Sequence, residues 1–339
     1  MTRLSGNTST LPASRGDWKN RCGSATRAPK LVVPCATRAS EYTVFMLTSR
    51  DGRDTQQDTT GATSSHRVDE AGSLRPFLRW AGSKRQLLPI LVEFWRPGFT
   101  RYIEPFLGSG TLYWAIAPEA ATLSDVNADV IDAFGAVKES PQGVHEALCA
   151  FEVSREAYAR IRSLDPRMLT PSQRGARVIY LMRFCFNGIY RTDKQGRFNV
   201  PFSGGKTGSL PSLEHLVQAS AVLQKAEIKQ QDFQEALRTA GRGDFVYLDP
   251  PYAGASHRSA CQFGPGSFQS GDVERLVRCL HELDSRGARF LLSYGYSEEI
   301  MKACAEWECR VVGVRRNVAG QSRFRRDASE VLVTNRSRK

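Results

Sequence analysis

The sharpest change of pattern in the chain falls at residues 244–252, where the apolar run Phe245-Val246-Tyr247-Leu248 stops at Asp249-Pro250-Pro251-Tyr252. A continuous apolar run bounded by turn residues predicts a strand buried on both faces, as in a parallel α/β sheet. Further strands are expected at Tyr102-Ile103, Ala121–Ser124, Glu227–Lys229, Phe290–Ser293, Arg310–Val314 and Glu330–Val333. Between them the period changes to that of helices, through Leu87, Leu88, Leu91 and Val92, over Leu112–Ile116, and over Arg174–Cys185. Strands alternating with helices predict an α/β fold.

Two regions break this alternation. Residues 1–70 are rich in Ser, Thr, Arg and Gly, contain no Ile and a single Phe, and have no sustained period, which predicts a disordered tail. The scarcity of acids in its first part faintly suggests a transit peptide; a plain tail, or a stretch upstream of a true start at Met46, is the favoured reading. Pro34-Cys35 matches the nucleophile dipeptide of cytosine-C5 methylation but has no strand or base pocket around it. Residues 140–224 form the second region. There, helices give way to Phe186–Phe202, which reads as a hairpin turning at Asp193–Gly196, with basic and aromatic residues alternating along its arms. The expected organisation is therefore a tail (1–70), a catalytic domain in two pieces (71–139 and 225–339), and an inserted domain (140–224).

Charge changes the picture next. The chain of 339 residues carries a net charge of +12, and without the tail it retains 37 basic against 28 acidic residues. The folded part itself is basic, which points to nucleic acid. The eight cysteines show no C-x-x-C pair or zinc spacing, so reduced thiols, no metal and a cytoplasmic setting are expected. No stretch is long and apolar enough to span a membrane.

The candidate chemistry sits at the ends of the predicted strands. Tyr102–Thr111 followed by Leu112–Ile116 is a strand, Gly-rich turn and helix, a nucleotide-type unit. It is not the dinucleotide fingerprint, because Tyr113 stands where the third glycine belongs. Asp125 ends the next strand, 15 residues after Gly110 and suitably spaced for a ribose hydroxyl. A ribose without a pyrophosphate favours S-adenosylmethionine. Asp232-Phe233 is placed to accept from an adenine amino group and to cover its ring. Trp80-Ala81-Gly82-Ser83-Lys84 offers an anion site ahead of a helix; Trp80 as core and Lys84 as a solvated residue is the plain alternative. At Asp249-Pro250-Pro251-Tyr252 the prolines fix an extended turn, so a carboxylate and the Pro250 carbonyl can face one point beside an aromatic ring. Two acceptors and a stacking platform suit the exocyclic amine of a planar base.

Four segments in order, Trp80–Lys84, Glu104–Gly110, Ser124–Asn127 and Asp249–Tyr252, resemble the Dam-type family of adenine-N6 DNA methyltransferases, over about residues 74–335. The resemblance implies a Rossmann-like class I methyltransferase sheet with an inserted helical and hairpin target-recognition domain. It implies a monomer acting on double-stranded DNA by base flipping, with S-adenosylmethionine as methyl donor. It assigns Trp80, Lys84, Asp125 and Asp249 to cofactor contact, Phe106, Gly108 and Asp232 to the cofactor pocket, and Asp249, Pro250, Pro251 and Tyr252 to catalysis. Asn-Gly-x-x-Arg and Phe-Asn-Val-Pro-Phe match the family's recognition hairpin, so Asn187 and Arg191 are the DNA-contact candidates, with phosphate contact as the alternative to base reading. After Phe202 the chain reads Ser203-Gly204-Gly205-Lys206, where GATC readers tend to carry an arginine, so specificity for GATC is not implied. A polar loop at Ala255–Ser270 with His257 and Arg258 is expected to close over the base. Arg315, Arg316, Arg323, Arg325 and Arg326 form a further basic stretch. The rival readings are a cytosine-N4 or RNA methyltransferase, a protein-amide methyltransferase, and a DNA-binding module with a dead site.

Overall fold

The computed structural model describes residues 74–204, 207–252, 268–315 and 327–335, all within a compact unit spanning Arg67–Lys339. The tail, the Ala255–Ser270 loop up to residue 267, Gly205-Lys206 and the Arg315–Arg326 side chains lie outside the described residues.

The expected strands are present as β1 (Arg101–Glu104), β2 (Ala121–Asp125), β3 (Ala226–Gln230), β4 (Asp244–Leu248), β5 (Arg289–Gly295), β6 (Glu308–Arg315) and β7 (Asp327–Thr334). They form one sheet in the order β3-β2-β1-β4-β5-β7-β6. The first five are parallel, while β7 is antiparallel to both β5 and β6. The order reverses between β1 and β4, and open α/β sheets bind ligands at such a reversal, outside the carboxyl ends of the strands.

Alternation along the strands serves both faces of the sheet. Tyr102, Phe245, Tyr247 and Leu291 enter one buried cluster, and Ile103, Val246, Leu248, Phe290 and Leu292 enter the other. This is why β4 reads as unbroken apolar sequence, and burying each Val or Leu there stabilises the fold by about 1.5–3 kcal/mol. At the opposite end of the strands from the site, Arg101 forks onto Asp244 at 2.7 and 3.1 Å, fixing the β1–β4 register.

Ten helices are present among the described residues: α1 (Leu88–Leu91), α2 (Thr111–Ile116), α3 (Ala128–Glu139), α4 (Pro141–Cys149), α5 (Arg155–Ser163), α6 (Pro171–Phe184), α7 (Leu213–Leu223), α8 (Phe233–Leu237), α9 (Ser270–Ser285) and α10 (Glu298–Ala303). The helix expected after Lys84 is a single α turn running into a 3-10 turn at Val92–Phe94, with Pro89 in its first turn. Helices α4 to α7 fall within residues 140–224, where an inserted domain is expected, and Leu148, Tyr158, Ile161, Val178 and Leu216 join the same buried cluster as Tyr102 and Phe134. Buried Arg177 caps α5 by donating to the carbonyls of Ile161 and Arg162.

The hairpin differs from expectation. Its turn is where the sequence places it, with Gly196 N donating to Asp193 O at 3.0 Å and Asp193 N to Arg197 O at 2.8 Å. Its arms form only isolated bridges, Thr192 with Phe198 and Cys185 with Phe202, not strands. Two features interrupt the ladder: a 3-10 turn at Phe186–Gly188, and Pro201, which has no N–H to donate.

Candidate active site

Asp249 follows the last residue of β4 and keeps 19% of its side chain exposed, whereas Pro250 is buried. Its Oδ1 meets two groups. Lys84 Nζ stands 2.6 Å away, and Ser293 Oγ, fully buried on the adjacent β5, donates at 3.1 Å. Behind Ser293, the Tyr247 hydroxyl lies 3.1 Å from its Oγ. Lys84 is itself 8% exposed, and it also donates to Gly82 O at 3.3 Å. A cation this deeply buried requires anionic partners. Asp249 supplies one, and Glu330 on β7 stands 4.0 Å away. Lys84 Nζ lies over the Tyr252 ring, 5.4 Å from its centre, and the Tyr252 hydroxyl donates to Glu330 Oε1 at 2.7 Å. The sequence grouped Lys84 with an anion, and the anion it meets in this structure is the Asp249 carboxylate.

A second cluster lies at the carboxyl ends of β1 and β2. Asp125 holds the glycine turn, its Oδ2 accepting from Gly108 N at 3.0 Å and its Oδ1 from Asn127 N at 2.9 Å. Burial pushes its carboxyl up to about 6, against the opposing pull of those backbone donors. Gly108 has φ 47°, and a Cβ there would come within 3.0 Å of Trp80 Cδ1. A side chain is therefore excluded both by backbone conformation and by contact. Trp80 in turn stacks on Tyr190 of the inserted region, ring centres 5.3 Å apart and planes at 28°. The Tyr190 hydroxyl donates to Asp129 in the first turn of α3 at 2.8 Å.

Glu104 is a functional candidate that sequence reasoning passed over. It ends β1, is 2% exposed, and accepts from the Tyr102 hydroxyl at 2.9 Å. Burial, with Asp249 and Asp125 nearby adding to it, raises its carboxyl well above the usual range despite the Tyr102 bond. An acid closing an apolar strand just before Pro105 was the available signal.

Phe106 stacks on Phe233 with ring centres 5.3 Å apart at 29°. Asp232 caps α8 by accepting from Gln234 N at 2.9 Å and pairs with Arg275 at 2.6 Å, both through Oδ1. Arg275 also lies over the Phe233 ring, 4.6 Å from its centre. Trp80, Gly108 and Asp125 thus form one contact chain, Lys84 and Asp249 another, and Phe106 and Asp232 a third joined through Phe233 and Arg275.

Asn187 and Arg191 stand on the inserted region, outside the Asp249 hydrogen-bond network. Asn187 has φ 55°, a left-handed conformation that asparagine tolerates better than most residues. Arg191 is exposed, and its Nε donates to Asn199 Oδ1 at 2.7 Å. The segment carrying Lys84 is tied to this region, since Ala81 N donates to Gly188 O at 3.0 Å and Arg79 Nη1 to Arg183 O at 3.0 Å. Among the described residues, no group of three His, Cys, Asp or Glu is placed to hold a metal ion, and no helix is long and apolar enough to cross a membrane.

Comparison with known proteins identifies the arrangement. The sequence profile of the D12 class N6 adenine-specific DNA methyltransferases matches residues 80–317. A type II methyltransferase of Lactococcus lactis subsp. cremoris, M1.LlaDCHI, is 33% identical over 272 residues, covering 78% of this chain and 96% of the relative. The type II methyltransferase M.MjaIII of Methanocaldococcus jannaschii is 28% identical over 286 residues, 77% of this chain and 99% of the relative. A DNA adenine methylase of Serratia marcescens is 28% identical over 270 residues, 76% of this chain and 97% of the relative. The matched span runs from Trp80 through the glycine turn, the inserted region and the Asp249 cluster, and the chain belongs to the D12 class of N6 adenine-specific DNA methyltransferases.

Proposed function

We propose that this adenine-N6 DNA methyltransferase draws its methyl group from S-adenosylmethionine held at the carboxyl ends of β1, β2 and β3, and methylates an adenine flipped out of the duplex against Asp249, Pro250 and Tyr252. The observation that carries the proposal is the convergence of Asp249, Lys84, Ser293 and Tyr252 at the end of β4, beside the reversal in strand order. Reactant groups bind at that position in open α/β sheets.

The residues present fit the cofactor. The Asp125 carboxylate accepts from Gly108 N of the glycine turn on Oδ2 and from Asn127 N on Oδ1, which leaves capacity for ribose hydroxyls. The bare backbone at Gly108 lets Trp80 lie against the turn, Phe106 and Phe233 offer aromatic surface to an adenine ring, and Lys84 serves as cation for a carboxylate only by being shared with Asp249. Asp232 serves as acceptor for the adenine amine only by sharing its carboxylate with Arg275. When bound, S-adenosylmethionine supplies an electrophilic methyl group on a cationic sulfur that leaves as a neutral thioether.

The target amine is a weak nucleophile because its lone pair is delocalised into the ring. Hydrogen-bond acceptance by the Asp249 carboxylate and the Pro250 carbonyl localises that pair on N6 and aims it. Ser293 and Lys84 hold Oδ1 of Asp249, so the carboxylate is oriented before the base arrives. Stacking on Tyr252 offsets part of the few kcal/mol of unpairing and unstacking. Residues 140–224 serve as the target-recognition region, with Asn187 and Arg191 contacting DNA. Residues 1–70 lie outside the catalytic unit, and the enzyme acts as a cytoplasmic monomer.

The test is transfer of labelled methyl from S-adenosylmethionine to mixed-sequence duplex DNA, followed by identification of the labelled nucleoside. N6-methyladenine supports the proposal. Label on cytosine N4, on RNA or on protein supports one of the rival acceptors, and DNA binding without transfer supports the dead module.

A further inference from the structure

Tyr252 is held from two sides by a pair of residues that face each other across neighbouring strands. Gly295 on β5 is paired with Glu330 on β7. A Cβ built on Gly295 would lie 3.4 Å from Cγ, Cδ1 and Cδ2 of Tyr252 alike, so the ring lies flat over the glycine backbone. Glu330, 7% exposed, takes the hydroxyl of the same ring onto Oε1 at 2.7 Å. Tyr294 meets the ring edge-on at 5.4 Å and 78°. One strand thus supplies a flat seat and its neighbour an anchor for the far end of the ring. Gly295 covers one face, so a planar base stacking on Tyr252 would use the other; Lys84 Nζ also lies over the ring, 5.4 Å from its centre.

We propose that Glu330 is a positioning residue for methyl transfer: through the Tyr252 hydroxyl it fixes the tilt of the ring over Gly295, and with it the plane in which the flipped adenine presents N6 to Asp249. The inference rests on the stacking role given to Tyr252 above. A tyrosine ring without an anchor pivots about two side-chain torsions, and a base stacked on it pivots too. A displacement of about 1 Å in a reacting atom is enough to lower a transfer rate severely. Glu330 touches neither base nor cofactor; it bonds the Tyr252 hydroxyl and also faces Lys84 Nζ at 4.0 Å, and Glu330→Gln, which keeps an acceptor but removes the charge, separates the two roles. Its carboxylate is required as a hydrogen-bond acceptor, a role that the glutamine carbonyl also fills, though more weakly.

The experiment is a double-mutant cycle on the single-turnover rate of methyl transfer from S-adenosylmethionine to duplex DNA, using Glu330→Ala, Tyr252→Phe and the double variant, with Glu330→Gln and Tyr252→Ala alongside. Glu330→Ala and Tyr252→Phe are each expected to lower the rate about tenfold, the double variant no further than either single, and Glu330→Gln to stay within about threefold of the parent enzyme. Losses that multiply in the double variant, or a Glu330→Gln enzyme as slow as Glu330→Ala, overturn the proposal. Tyr252→Phe removes a single oxygen, so an unimpaired rate for it overturns the proposal even if Glu330→Ala does not fold. Near-normal transfer by Tyr252→Ala would instead remove the stacking role itself, which separates failure of that reading from failure of this one.

Discussion

Lys84 Nζ lies 2.6 Å from Asp249 Oδ1, although the two residues are 165 positions apart in the chain. The short segment before Lys84 is tied at Ala81 to Gly188, so one strip of chain touches both the Asp249 carboxylate proposed for catalysis and the base of the hairpin. A carboxylate oriented by a buried cation and by Ser293 is fixed before substrate enters, and preorganisation of that kind is where enzymes gain most of their electrostatic advantage.

Removing the carboxylate should therefore strike the chemical step. Asp249→Ala is expected to lower single-turnover methyl transfer by about a thousandfold, a loss on the scale of deleting a preorganised transition-state contact. Its affinity for S-adenosylmethionine, read by calorimetry, should change less than about tenfold. Near-normal turnover would remove Asp249 from the chemistry.

Tyr252 separates stacking from hydrogen bonding. Tyr252→Phe keeps the ring on Gly295 and loses only the bond to Glu330, whereas Tyr252→Ala loses the platform. The alanine variant should be slower by about a hundredfold and the phenylalanine variant by about tenfold, in line with one to three kcal/mol per stacked base. Equal losses in the two variants would argue against stacking.

Much of this arrangement is legible in the sequence, for identifiable reasons. The strands could be read because β4 is apolar on both faces and because Asp125 and Asp249 mark where strands stop. The placement of β7 between β5 and β6 was not legible, because an antiparallel insertion leaves no local mark. Glu330 reads locally as an acid opening a strand; only its pairing with Gly295 brings it to Tyr252. The pairing of Asp232 with Arg275 is likewise tertiary, since 43 residues separate them. The hairpin's turn is legible at Asp193–Gly196, but its arms make only isolated bridges, because the left-handed backbone at Asn187 and the missing donor of Pro201 interrupt the ladder.

Asp125 predicts a pH dependence. Its folded-state carboxyl is raised to about 6 by burial, so its stabilising contribution to the free protein is fully present below the ordinary carboxylate range and is lost as pH rises through about 6. Ribose hydroxyls donate to the ionised form, so cofactor affinity should move the other way, rising with pH through about 6 and levelling above about 7. Calorimetric titrations across this range check both the rise and its loss in Asp125→Asn. A flat profile in the parent enzyme would contradict the assignment.

Gly108 offers a steric test of the cofactor turn. Gly108→Ala places a methyl group 3.0 Å from Trp80 at a φ of 47°. The strain is expected to be on the order of 1–3 kcal/mol, with S-adenosylmethionine affinity falling about tenfold or more. Unchanged affinity would place the cofactor away from this turn.

Arg191 distinguishes base reading from phosphate contact. If it reads a base, Arg191→Ala relaxes sequence choice at one position, with a discrimination loss of about 1–3 kcal/mol. Asn199→Ala, which removes the side-chain acceptor that orients the guanidinium, should give a weaker version of the same change. A loss uniform across DNA sequences, with a smaller dependence on salt, would make Arg191 a phosphate contact.

The most direct test of the central claim compares the labelled nucleosides from duplex DNA incubated with S-adenosylmethionine and either the parent enzyme or Asp249→Ala. N6-methyladenine is expected with the parent and essentially none with the variant, at similar cofactor binding. Label on any other base, or an Asp249→Ala enzyme that still forms N6-methyladenine at a near-parent rate, would contradict that claim.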